Sequence, residues 1–174
     1  PTTEATRKYL DVVQKTIDQA NLPADERALL RQQSLALIGS PPTGASDRAK
    51  RLDDLNVRDE DRAAVEQSWV VRDLALTVPL TDGKITTDAQ SQSAAMKVVE
   101  ALASEVSANV GHELMHDLLT QRLLTLGVPH PRALTLAEHA TNRIKLGAAL
   151  KARGVEASAT TLQTVGAGLD GIPK

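Results

Sequence analysis

The stretch VGHELMHDLL, residues 110–119, holds the residues whose types and spacing come nearest to chemistry. It contains His-Glu-x-x-His, with His112 and His116 four residues apart. On a helix both imidazoles project from one face, so both can meet one zinc ion, and Glu113 can reach a metal-bound water as general base. The other two histidines, His130 and His139, follow closely, and all four fall within 28 residues. Downstream, AEHATN supplies Glu138, 22 residues after His116, and Asn142 four further on.

Taken together, HELMH and AEHATN resemble the zincin metallopeptidases, and among them the gluzincins, in which the second stretch reads Asn-Glu-x-x-Ser-Asp. The resemblance covers these two stretches and no more of the chain. It implies His112, His116 and Glu138 as zinc ligands and Glu113 as the catalytic base. Asn142 would support a histidine ligand from behind. Ala137 stands where that family has Asn, and Thr141 and Asn142 stand where it has Ser and Asp. The same resemblance implies zinc as the cofactor and a sheet whose edge strand holds a peptide substrate. The single tyrosine is Tyr9, so stabilising an oxyanion would fall to His130 or His139.

A structural reading of the same residues stands beside this one. Asp117 follows the second histidine directly, where the zincin pattern expects an uncharged residue. Thr135 and Glu138 form a capping-box pattern, TLAE, which would make Glu138 a helix-start residue. His112 and His116 share a side with Leu119 and Leu123, where half-buried histidines bond backbone or a carboxylate such as Asp117. His130, between Pro129 and Pro131, reads as an exposed turn residue.

The elements that must position these groups read as helices. TEATRKYLDVVQKTIDQAN places Leu10, Val13 and Ile17 at helical spacing. Pro23 opens a second helix, with Asp25 and Glu26 against its N-terminal dipole and Gly39 at its end. SPPTGAS, residues 40–46, is the candidate linker. A short helix around SDRAKRLDDL follows, and then one over residues 58–78 with Val65, Trp69 and Leu76 on one face and Trp69 as a core anchor. VPLTDGKITTD is the one strand-like stretch, a loop or a short hairpin turning at Asp82-Gly83. Thr87, with Gln90, begins a helical pattern reaching Leu126, with a break near Gly111; its second half is apolar almost all round, which predicts a central helix surrounded by others. RALTLAEHATNRIKLGAALKARG carries a small apolar stripe at Leu134, Ala137, Ala140, Ile144 and Ala148. A last helix lies in TTLQTVGAGLDG, weakened by its glycines.

Composition narrows the function classes. Among 174 residues there are no Phe or Cys, one Trp and one Tyr, so aliphatic side chains must fill the core. Such a core suits closely packed helices. Twenty Lys and Arg against 22 Asp and Glu, interspersed, give a net charge of -2 and no global case for nucleic acid. Without cysteine there are neither disulfides nor thiolate chemistry. No apolar run reaches the roughly 18 residues a membrane span needs, and the first residues lack the pattern of a signal peptide, which points to the cytoplasm or to export without a classical signal.

The expected fold is therefore all-α: a single helical domain over residues 1–174, a bundle of about six helices with a long central helix and at most one short β-hairpin. The leading functional expectation is a helical protein-interaction module, an adaptor, scaffold or effector-type domain with a protein partner. The alternative is a zinc-dependent metallopeptidase or hydrolase using residues 112–116.

Overall fold

The computed structural model describes residues 3–36 and 44–170. These form eight helices and one two-stranded antiparallel hairpin, an all-α architecture. In chain order they are α1 (Thr3–Gln19), α2 (Ala24–Ala36), α3 (Ala45–Asp54), α4 (Asp59–Thr77), β1 (Leu80–Thr81), β2 (Lys84–Ile85), α5 (Ala89–Ala103), α6 (His112–Thr125), α7 (His130–Ala152) and α8 (Ala159–Ala167). None of these helices is long and apolar enough to cross a membrane. Of the expected linker over 40–46, residues 40–43 lie outside the described residues, while Gly44 caps α3 and Ala45 begins it. Where one domain is expected over 1–174, the chain divides into two compact units, Pro1–Asp73 and Leu74–Lys174.

In the first unit α1 packs on α2 and buries Thr6, Leu10 and Gln14, one residue per turn. Leu10, Leu35, Leu52, Leu55, Val57, Val65 and Trp69 make one buried cluster, so Trp69 is the core anchor its position suggests. Arg31 is buried beside Asp61 at 3.3 Å, with Asp18 and Glu60 completing its surroundings. Arg7 donates to the carbonyl of Asp54, which satisfies a backbone acceptor left free where α3 ends.

The second unit is built around α7, the longest helix, which packs against α5, α6 and α8. Its inward face carries Ala133, Leu136, Ala137 and Ala140; small side chains let the neighbouring helices approach closely, while Leu134 points outward. Arg132 donates to the carbonyls of Ala75 and Val78, at 3.1 and 2.6 Å, and so caps the end of α4.

The hairpin turns at Asp82 and Gly83, both with positive φ (53° and 75°), the conformation for which Asp-Gly is favoured in a two-residue turn. Thr135 Oγ1 on α7 donates to Gly83 O at 2.8 Å, so the hairpin has the packing partner it needs. The capping pattern at Thr87 shifts by one residue. Asp88 is the N-cap of α5, its carboxylate accepting from the Ser91 backbone N–H at 2.8 Å and from its hydroxyl, and Gln92 rather than Gln90 reaches back, to Thr86 O. A hydrogen bond from the Thr86 hydroxyl, with those from Ser91, holds the Asp88 carboxyl at about 2.

The expected long central helix is two helices. α5 ends at Ala103, and residues 104–111 form an irregular link before Gly111 caps α6. Lys145 on α7 ties this link down through the carbonyls of Ala108 and Val110. α6 is not enclosed on every side either. It buries Met115, Leu119 and Leu123 but leaves Leu114 and Leu118 51% and 45% exposed. Its apolar residues face two environments, because one side has no helix of the unit to cover it.

Candidate functional site

The second unit gathers the histidines, but not as the zinc motif requires. His112 is the first residue of α6 and half-buried, Glu113 is exposed in the first turn, and His116 follows one turn later. His116 Nδ1 lies 3.7 Å from Asp117 Oδ1. Glu138 sits in mid-α7, eight residues beyond the helix start at His130, so it is no N-terminal capping residue. Thr135, its expected capping partner, instead bonds the carbonyls of Gly83 and Pro131. Among the described residues no group of three His, Asp or Glu side chains is placed to hold a metal ion; His112, His116 and Glu138 are not brought together as a ligand set. His130 is exposed but helical, the first residue of α7.

What the fold does bring together is a part-buried hydrogen-bonded chain across α6, α7 and the turn after α8. Asn142 Nδ2 donates to Asp170 Oδ1 at 2.8 Å, which fixes the amide orientation. Asn142 Oδ1 therefore faces His112 Nε2, at 3.0 Å, as an acceptor, and the imidazole hydrogen must be on Nε2. Asn142 is thus the hydrogen-bond partner of His112, engaging its Nε2. His112 Nδ1 is buried with no partner among the described residues.

The same Asp170 Oδ1 accepts from Arg143 Nη1 at 2.5 Å, and Asp170 Oδ2 lies 3.6 Å from His139 Nδ1. Arg143 is almost wholly buried, and its Nε donates to Gln163 Oε1 on α8 at 3.2 Å. Gly166 makes room for this guanidinium, since a Cβ there would sit 2.8 Å from Arg143 Nε. Burial would raise the pKa of Asp170; hydrogen bonds from His139, Arg143 and Asn142, with the charge of Arg143, outweigh it and hold the carboxyl at about 2.

None of the known family models, curated proteins or solved structures matches this chain. Its functional reading therefore rests on this geometry.

On the outer side of this network lies a cleft of about 400 Å³, walled by the hairpin turn, α5, α7 and Asp170. Glu138 and His139 both line it. Three of its residues escape a motif search, namely Asp82, Gln92 and Asp170, because they come from a turn, another helix and the chain's far end. The one sequence signal for the network is the polar run His139, Asn142 and Arg143, at i, i+3 and i+4 of a helix otherwise lined with small apolar residues.

Proposed function

We propose that this chain is a helical protein-interaction module that recognises a protein partner through the outer face of α6. The observation that supports the reading is the pair Leu114 and Leu118, one turn apart and about half exposed, on a helix whose opposite side is firmly packed. A single exposed leucine is ordinary on a protein surface. Two on adjacent turns, framed by the exposed Glu113, Asp117 and Gln121, form an apolar ridge with a polar border, the pattern of a helix-face contact. In the first unit α1 carries a second exposed pair, Tyr9 and Val12, each 63% exposed.

The test uses the double variant Leu114→Asp, Leu118→Asp. Both sites are on the surface, so its unfolding free energy should stay within about 0.5 kcal/mol of the parent. A protein captured by the parent chain, then purified and titrated alone, should bind the variant about tenfold more weakly or worse. Equal binding removes α6 as the recognition face, and a captured protein that fails to rebind when purified counts against the module reading itself.

The zinc-hydrolase alternative lacks comparable support, since His112, His116 and Glu138 form no metal-holding group among the described residues. Elemental analysis of protein purified with zinc supplied should find no stoichiometric metal. One zinc per chain, lost on His112→Ala and on Glu138→Ala, would restore that alternative.

A further inference from the structure

We propose that α8, with the turn that follows it to Asp170, is a releasable strap: it is helical only while docked, and it comes off as a unit to uncover an apolar wall on α5 and α7. The amino-acid sequence gives α8 little stability of its own. It has nine residues, fewer than the roughly 12 to 15 at which an isolated helix is even marginal. Thr160, Thr161, Thr164, Val165 and Gly166 among them are poor helix formers. Its order must therefore come from what it rests on.

That support is mostly polar. Gly166 is the one buried residue of α8, Leu162 is part-buried against α7 beside Gly147, and Val165 and Leu169 are exposed. Beneath the helix the packing is incomplete. One cleft of about 430 Å³ lies between α8, α5 and α7, and another of about 410 Å³ between α8 and α5. The hold comes from Gln163, which accepts from Arg143, and from Asp170, which accepts from Arg143 and Asn142. Such part-buried hydrogen bonds contribute modest net stability, because water replaces them on opening.

The chain on the near side of the strap is closed off by its own motif. Gly154 has a φ of 78°, its N–H donates to Lys151 O at 3.0 Å, and Val155 N–H donates to Leu150 O at 3.0 Å, a Schellman end to α7. None of these bonds involves α8, so the strap can leave without fraying α7. Segments with few buried apolar contacts open at a lower free energy than the whole unit unfolds. The opening uncovers Met96, Val99, Ile144 and Ala148, which line the larger cleft; Met96 and Val99 are buried while α8 is docked.

Amide hydrogen exchange of the full chain tests the strap. The hydrogen-bonded amides of α8, from Leu162 onward, should exchange about 100-fold faster or more than those of residues 133–140 in α7. Two substitutions should move α8 in opposite directions. In Gly166→Ala the added Cβ would lie 2.8 Å from Nε of an Arg143 already held by Gln163 and Asp170, so α8 should exchange about tenfold faster while α7 is unchanged. That variant should also bind the dye 8-anilinonaphthalene-1-sulfonate more brightly than the parent, through the uncovered wall. In Gly147→Ala the Cβ meets Leu162 at 3.7 Å, an ordinary contact, so α8 should exchange about two- to threefold more slowly. Equal exchange in α8 and α7, joint acceleration of both helices or no gain in dye fluorescence in Gly166→Ala, or no slowing in Gly147→Ala would each overturn the proposal. The parent and Gly147→Ala carry the test by themselves where Gly166→Ala does not fold.

Discussion

Trp69→Ala is expected to lower the stability of the Pro1–Asp73 unit by about 3–5 kcal/mol, the usual cost of truncating a fully buried aromatic side chain. Trp69 is the largest of the fully buried side chains and only 1% exposed. Its neighbours in the cluster are five leucines and valines from other turns together with Leu10, none of which carries a ring that could expand into the gap. The other aromatic residue, Tyr9, is mostly exposed and contributes nothing to that core. Urea unfolding followed by far-ultraviolet circular dichroism measures the loss directly. Trp69→Phe should cost less, because it keeps most of the volume and removes an indole N–H that is buried with no partner among the described residues. A loss below about 1 kcal/mol for the alanine variant would contradict the assignment of Trp69 as the core of this unit.

Asp170→Ala is the second large effect. It leaves Arg143, a guanidinium whose side chain is wholly buried, without its carboxylate. Removing one partner of a buried pair costs roughly 3–5 kcal/mol when both are enclosed. Asp170 is 37% exposed, so solvent screens part of the interaction, and a loss of about 2 kcal/mol is expected. The pH dependence gives an independent check. The folded state holds the Asp170 carboxyl at about 2, below its ordinary 3.8. A depressed carboxyl stabilises the fold fully above pH 3.8, and that contribution fades as pH falls through about 2. The parent chain should therefore lose stability across this window more steeply than Asp170→Ala, and the two should converge at its acid end. Parallel acid limbs would show that Asp170 does not carry the linkage.

Much of the fold was legible from periodicity and punctuation. The helical spacing of Leu10 with its neighbours and the Asp-Gly turn at residues 82–83 each act locally, and local signals survive into the structure. The break between α5 and α6 was harder to place. Residues 104–111 contain few strong breakers before Gly111, and what fixes the link is Lys145, far along the chain. Surface exposure of Leu114 and Leu118 was likewise beyond pattern reading, because an apolar residue announces its chemistry but not whether a neighbour will cover it.

The histidine region shows the same divide. Spacing correctly placed His112 and His116 on one helix, and the resemblance pointed to Asn142 as a histidine's partner. Neither could reveal that Asp170, 28 residues beyond Asn142, orients that amide and so decides which imidazole nitrogen is engaged. The resemblance makes Glu138 a zinc ligand and His139 a candidate to stabilise an oxyanion. Their surroundings are instead set by the hairpin turn, which Thr135 holds against α7.

The distribution of rings between the two units has a practical result. Tyr9 and Trp69, the whole aromatic absorbance of the chain, belong to Pro1–Asp73, while His112, His116, His130 and His139 all belong to Leu74–Lys174. Intrinsic fluorescence is thus a reporter for one unit and imidazole proton resonances a reporter for the other. Within a single unlabelled sample, the two halves of the chain can be watched melting, or binding, on separate channels.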